Sequence, residues 1–180
     1  MPYDRSMRSF VFAVLLTTSC SQVAAGPELQ LYPAGLMAGV HVQHALDARD
    51  AFTWRVAANF TERGDFGEHD DESGSGFGAG IGWRRIFEDG GPGDGWVLGA
   101  RIDFWDLEVD WKDRNPSRSG TTETLVVQPL VEGGYRFSLG GGWRAQLMSG
   151  IGAEINTGVD GEDVGEGAIL LVSLVFLRDF

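Results

Sequence analysis

The residues that could support catalysis lie around His69, in the acidic stretch GEHDDESGS. A histidine held against a carboxylate and a hydroxyl can activate a nucleophile, and Asp70, Asp71, Ser73 and Ser75 offer both groups nearby in sequence. Neighbouring loop residues need not converge in space, and no serine lies in a recognisable nucleophile turn. We therefore predict no catalytic residue and keep a rim-active enzyme as an alternative, in which His69 or the inward-facing His41 would act.

Acidic residues of two predicted loops offer the oxygen ligands that calcium and magnesium prefer. Neither run has the ordered spacing of a helix-loop-helix calcium site. No cofactor is predicted. The weak candidates for metal ligation are Glu68, Asp70, Asp71, Asp160 and Asp163.

Charge and composition narrow the class of protein. The 180 residues include 14 basic and 26 acidic side chains, for a formal net charge of −12, which argues against nucleic acid because phosphates require basic patches. The 27 glycines and 6 tryptophans are unusual for a helical protein.

The first 25 residues have the zones of a secretory signal peptide. Arg5 and Arg8 precede an apolar run over residues 10–16, and the small residues Ala24 and Ala25 follow. We predict a signal peptide over residues 1–25 and a single domain over 26–180. Cys20, at the end of TTSC, leaves lipidation open as an alternative.

The elements that must position all these residues are strands, because apolar residues recur with a period of two. In one segment Trp96, Leu98 and Ile102 alternate with small or charged residues such as Arg101 and Asp103. Seven such segments are visible, at residues 36–43, 52–61, 77–84, 96–105, 125–136, 143–154 and 168–180. Short and long connections alternate, with long loops predicted over residues 63–75, 106–120 and 157–166.

Aromatic residues indicate which face meets lipid. They gather on the apolar face beside the short connections, as at the water–lipid boundary of a membrane barrel. The members of this ring are Phe52, Trp54, Trp83, Phe87, Trp96, Tyr135, Phe137, Trp143, Phe176 and Phe180. The alternative, a soluble periplasmic ligand-binding barrel, would turn the charged face outward.

The opposite face carries charged residues that would pair across a filled interior, without an open pore. The predicted interior network consists of Arg101, Asp103, Glu132, Arg136, Arg144 and Glu154.

The chain resembles the small outer-membrane β-barrels of Gram-negative bacteria over residues 27–180. In that family the last strand ends on an aromatic residue after alternating apolar positions, and the insertion machinery reads this signal. Phe180, Phe176 and Leu174 match it, whereas Arg178 stands where an apolar or aromatic residue is usual.

The resemblance implies an all-β, up-and-down antiparallel transmembrane barrel of eight strands in the outer membrane, with its longer loops outside the cell. The missing strand is predicted before Pro33, and a piece over residues 107–111 is the alternative. The expected partners are outer-membrane lipids and the insertion machinery, with divalent cations bridging acidic loops to phosphorylated lipid. The expected role is structural or interactive; family members that act on lipid A or peptides supply the enzyme alternative.

Overall fold

Eight antiparallel strands form a closed barrel in the computed structural model, which describes residues 22–64, 67–88 and 93–180. Each strand pairs with its neighbours in sequence, and β8 pairs with β1 to close the ring. The predicted all-β, up-and-down architecture of eight strands is therefore confirmed. The strands are β1 (Val23–Tyr32), β2 (Gly35–Ala45), β3 (Asp50–Glu62), β4 (Asp71–Glu88), β5 (Gly95–Arg114), β6 (Ser117–Gly140), β7 (Trp143–Asp160) and β8 (Gly167–Asp179).

The first strand lies where the sequence predicted it, before Pro33. A two-residue turn at Pro33 and Ala34 joins it to β2, and the alternative piece over residues 107–111 is part of β5. β1 begins at Val23, so it includes the last three residues of the predicted signal peptide. Cleavage after Ala25 stays a prediction, and residues 1–21, with Cys20, lie outside the described residues.

Alternation along each strand separates an apolar exterior from a polar interior. On β5, Trp96 and Leu98 are 59% and 50% exposed, whereas Arg101 and Asp103 are buried inside the barrel. This orientation is the one expected of a barrel surrounded by lipid. It is the reverse of the soluble ligand-binding alternative, which required Arg101, Asp103, Glu132 and Arg136 outside.

The barrel has two unlike ends. The end that carries the connections 46–49, 89–94 and 141–142 and the C-terminus is called the short-turn end. The opposite, loop end carries the connections 33–34, 63–70, 115–116 and 161–166.

One of the three predicted loops is almost entirely strand, and the other two are partly strand. β4 to β7 are 18, 20, 24 and 18 residues long, so that residues 71–75, 106–114, 117–120 and 157–160 of these predicted loops continue the barrel wall. The prediction of a long loop over residues 106–120 is wrong, because the alternation persists through this segment with the apolar residues on the inner face. We call the protruding part of β4–β7 the extension: residues 71–76, 105–114, 117–124 and 155–160.

Along β5, the buried inward side chains of the extension are apolar, unlike the inward charged residues lower on the same strand. Trp105, Leu107, Val109 and Trp111 of β5 are buried there and belong to one cluster with Val164 of the 161–166 connection. Along β5 the extension thus has apolar side chains inside and charged side chains outside, as in a water-soluble barrel. No helix among the described residues is long and apolar enough to span a membrane.

Candidate functional site

The exposed apolar side chains form a band around the outside of the barrel, which we call the apolar belt. A cluster of charged side chains occupies the interior at the same level, and we call it the central charge cluster. Each member stands at an inward position of its strand, which places residues from distant parts of the sequence side by side. The members are Glu28 of β1, Arg55 of β3, Arg84 of β4, Arg101 and Asp103 of β5 and Glu132 of β6.

The ion pairs of this cluster are close and shielded from water. Arg84 Nε donates to Glu132 Oε1 at 2.7 Å, and Arg55 Nη2 donates to Asp103 Oδ2 at 2.7 Å. Arg101 lies 3.1 Å from Asp103 and 3.2 Å from Glu132. Three arginines thus face three carboxylates, and each charge has an opposite partner, as burial of ions requires.

Glu28 completes the cluster from β1. Its carboxylate lies 3.3 Å from Arg55 Nη1, 3.4 Å from Arg101 Nη1 and 3.4 Å from His41 Nδ1. The other ring nitrogen of His41 lies 3.2 Å from Arg84 Nη1. Both ring nitrogens of His41 therefore face charged groups rather than a hydroxyl, which is not the geometry that the enzyme alternative requires.

The predicted interior network is divided rather than continuous, so the prediction needs correction. Only Arg101, Asp103 and Glu132 meet. Arg136 lies four residues from Glu132 toward the short-turn end, and Glu154 lies four residues beyond the β7 partner of Glu132 toward the loop end. At about 3.3 Å per residue, each is about 13 Å along the strand from the cluster.

Arg144 and Glu154 have partners outside the cluster. Arg144 Nη2 pairs with Asp179 at the short-turn end, whereas Glu154 pairs with Arg63 and accepts a 2.8 Å hydrogen bond from Gln128. Alternation shows which residues point inward. It does not show the position of each one along the barrel axis, because that position depends on the register between strands.

Sequence reasoning missed three members of the cluster. Arg55 and Arg84 already stood on the alternating charged face, so the signal for them was present. Glu28 was missed because the short first strand showed little alternation. The large buried side chains of Arg55, Arg84 and Trp105 fill the interior, as expected for eight strands.

Two loop-end connections are tied to the extension, and we call their described residues, 63–64, 67–70 and 161–166, together with Glu72 the loop latch. Glu72 is completely buried, and Oε1 accepts hydrogen bonds from the backbone N–H groups of Glu68 at 2.7 Å and Gly165 at 3.2 Å. Arg63 Nη1 donates to Glu72 Oε2 at 3.1 Å and to the Gly165 carbonyl at 2.6 Å. One carboxylate and one guanidinium thus hold both loops over the mouth.

His69 belongs to the same latch. Its ring stacks on Trp111, with centroids 4.1 Å apart and an interplanar angle of 13°. Nδ1 lies 3.0 Å from Asp113 Oδ1, and Nε2 lies 3.0 Å from the Asp163 carbonyl oxygen. The carboxylate beside His69 is therefore Asp113 and not Asp70, the neighbour in sequence.

The serines considered for the enzyme alternative lie on the outer surface, whereas this histidine ring is buried. Ser73 and Ser75 are exposed on the outer face of β4, whereas Glu72, which precedes Ser73, points inward. Both nitrogens of His69 meet oxygen atoms that belong to a carboxylate and a backbone carbonyl. The arrangement fastens a loop to the barrel wall.

Asp113 is the anchor of this contact. Burial alone would raise the pKa of Asp113, but hydrogen bonds from His69, the Asp70 backbone N–H and Arg118 outweigh it and hold the pKa below its ordinary value. Arg118 Nε donates to Asp113 Oδ2 at 2.7 Å and also pairs with Glu162 at 3.1 Å. The β5–β6 hairpin is thereby linked to both loops.

The five weak metal candidates do not converge. Asp70 Oδ2 accepts a 2.7 Å hydrogen bond from the Arg114 backbone N–H, and Asp163 contacts His69 through its carbonyl group. Within residues 22–64, 67–88 and 93–180, no three side chains of His, Cys, Asp or Glu are close enough to hold a metal ion. Glu68, Asp71 and Asp160 are exposed.

Acidic residues line the outer face of the extension just above the apolar belt, and we call them the acidic wall: Asp106, Glu108 and Asp110 of β5 and Glu123 of β6. All four are exposed. Glu108 and Glu123 are direct partners across the β5–β6 ladder. The next outward residues toward the membrane are Phe104 and Leu125, at 43% and 45% exposure.

The predicted insertion signal lies on the lipid-facing surface of β8. Phe180 is 79% exposed and Phe176 and Leu174 are 38% exposed. These positions are accessible to a recognition partner. Their role in insertion stays a prediction.

No family model matches the sequence, and no curated protein matches it in sequence. Solved structures do match in fold. The N-terminal β-barrel domain of Pseudomonas aeruginosa OprF superimposes with a TM-score of 0.57 at 11% identity, covering 88% of this chain and 97% of that one. Neisserial surface protein A gives a TM-score of 0.51 at 12% identity, covering 86% and 94%.

These likenesses confirm the predicted fold, that of the small outer-membrane β-barrels. The apolar exterior independently identifies a barrel that spans a membrane. The predicted outer-membrane location agrees with both observations.

Proposed function

We propose that the chain is a non-enzymatic outer-membrane barrel without an open pore, and that its extension interacts with the anionic outer leaflet through divalent cations. The proposal has two supports: the central charge cluster fills the barrel at mid-height, and the acidic wall stands beside the level of the lipid headgroups.

The observation that carries the proposal is the facing pair Glu108 and Glu123. Like charges placed directly opposite each other in an antiparallel ladder destabilise it. Asp106 and Asp110 add carboxylates on the same face. A cation shared with lipid phosphate would remove this repulsion. The acidic wall would therefore be stabilised where both divalent cations and lipid phosphates are present.

The chemistry suits magnesium held partly by lipid. Magnesium is commonly bound by one or two carboxylates together with phosphate oxygens and water. Since the described residues form no three-ligand cluster, the phosphate would complete the coordination. The wall would thus bind a lipid–cation pair and not a cation alone.

The test compares two variants that each lose two negative charges. Glu108→Gln with Glu123→Gln alters the wall, and Glu68→Gln with Asp163→Asn alters the loop latch surface. Thermal unfolding midpoints are measured in micelles that contain lipopolysaccharide, with and without magnesium.

Magnesium should raise the midpoint of the parent and of the loop variant. The wall variant should be the more stable protein without magnesium and should respond little to it. Equal magnesium responses in all three proteins would contradict the proposal. Release of a modified lipid or cleaved peptide by the parent, lost on His69→Ala, would favour the enzyme instead.

A further inference from the structure

Arg178 is an exposed cation in the lipid-facing part of the last strand, where the family signal has an apolar or aromatic residue. On the same face of β8 it is preceded by Phe176 and followed by Phe180. Its partner across the β7–β8 ladder is Trp143, and its guanidinium carbon lies 5.7 Å from the centroid of that indole ring. Arg178 therefore lies against one indole ring and between two outward phenylalanine positions.

The side of Arg178 that faces β1 is open. The partner of Arg178 on β1 is Ala25, whose side chain is too short to cover a guanidinium group. Among the ion pairs of the described residues, none includes Arg178; the adjacent Asp179 points inward to Arg144 instead. The charge is held in place by an indole and is left without a carboxylate.

A second arginine provides an internal comparison. Arg85 also faces outward near the short-turn end and lies over a tryptophan, with 5.7 Å between its guanidinium carbon and the Trp83 ring. Asp50, however, engages it through two hydrogen bonds of 3.0 Å and 2.6 Å. One arginine of the aromatic ring is thus neutralised within the protein, and the other is not.

The position of Arg178 indicates its partner. Aromatic residues of a membrane barrel lie at headgroup level, where an exposed charge costs at most about 1 kcal/mol. Phosphate is the anion present at that level, and a guanidinium presents a rigid fork of donors that matches phosphate oxygens. Stacking on Trp143 fixes the fork before any ligand arrives.

We infer that Arg178 and Trp143 form a binding site for the phosphate headgroup of a phospholipid in the leaflet nearest the short turns. The acyl chains would lie along the apolar surface of β7 and β8, beside Phe176 and Leu174. The inference depends on the membrane orientation of the barrel but not on the acidic wall, which lies at the opposite end.

The test uses the full chain folded in a phosphate-free sugar detergent and titrated with phosphatidylglycerol. Native mass spectrometry counts bound lipids, and Trp fluorescence follows the environment of the indole. Arg178→Gln should weaken the tightest lipid adduct at least tenfold, and Arg178→Lys should weaken it less because the charge remains. Arg85→Gln is the matched control and should bind lipid as the parent does.

Heat-modifiable gel mobility establishes that each variant is folded. Equal lipid binding by the parent and Arg178→Gln would overturn the inference, as would an equal loss in Arg85→Gln. Inorganic phosphate at the same concentration should not displace the lipid; complete displacement would show a site for free phosphate and would also overturn it. These outcomes are independent of the magnesium response at the acidic wall.

Discussion

Replacing Glu132 by leucine should destabilise the barrel strongly. The carboxylate is buried between two arginines, 2.7 Å from Arg84 Nε and 3.2 Å from Arg101 Nη1. Leucine has neither the charge nor a hydrogen-bond acceptor. The two guanidinium groups would remain buried with one fewer partner.

The two arginines would be affected unequally, because they keep different numbers of ion-pair partners. Arg101 keeps Asp103 at 3.1 Å and Glu28 at 3.4 Å. Arg84 loses its one carboxylate partner among the described ion pairs and keeps a hydrogen bond of 2.8 Å to Gln146. Breaking a buried ion pair costs about 3–5 kcal/mol, and because one arginine remains compensated we expect about 3 kcal/mol.

The assay is urea unfolding of the barrel in lipid vesicles, followed by Trp fluorescence. Glu162→Leu is the control, because the side chains of Glu162 and its partner Arg118 are 51% and 48% exposed. An exposed pair contributes at most about 1 kcal/mol. The two variants should therefore differ in unfolding free energy by about 2 kcal/mol or more.

A double-mutant cycle separates this loss from a packing effect. Arg84→Met combined with Glu132→Leu removes both charges of the pair, and the double variant should be more stable than the sum of the single losses implies. Strictly additive losses, or equal small effects of Glu132→Leu and Glu162→Leu, would refute the view that the pair is buried and coupled.

Four further predictions concern the two faces of the barrel wall, the latch and the orientation of the extension. Leu98→Arg should impair assembly by about 2–4 kcal/mol, whereas Leu46→Arg in an exposed turn should not, as measured by folding yield into vesicles. His69→Phe keeps the ring but loses both hydrogen bonds, so limited proteolysis of residues 161–166 should become faster; unchanged rates would exclude the latch. Because the pKa of Asp113 is lowered, its stabilisation should be complete above about pH 5 and be lost as the pH falls below its ordinary value of about 3.9, and Asp113→Asn should remove that dependence. Lys112, the sole lysine, should react with an amine reagent on intact cells if the extension is extracellular, and a Lys112→Arg control should not.

The sequence predicted the faces of the barrel well because a strand has a period of exactly two. Leu98 and Ile102 could be assigned to one side and Arg101 and Asp103 to the other without knowledge of any partner strand. The same pattern, with its aromatic ring, was enough to predict a membrane barrel. The first strand was predicted mainly by counting strands. A closed up-and-down barrel whose C-terminus lies beside the short turns needs an even number of strands, and the pattern showed seven.

The composition of the charge cluster could not be predicted in the same way. Which inward residues meet depends on the register between strands, and register is a relation between distant segments. Glu132 lies beside Arg84 because the two strands flanking β5 are aligned through Gly99, the β5 partner of both residues. Arg144 and Glu154 face the same interior at other heights and find other partners.

The extension was mistaken for loops for a related physical reason. Along β5 the outward residues change from Trp96, Leu98 and Phe104 to Asp106 and Glu108, while the inward residues change from charged to apolar. The backbone continues unchanged, because a strand that leaves lipid for water needs only to exchange which of its two faces is apolar. A charged outer face therefore marks where the bilayer ends and not where the strand ends. The boundary between Phe104 and Asp106 puts the acidic wall immediately beyond the apolar surface, where the proposed cations and lipid phosphates would relieve the repulsion between its carboxylates.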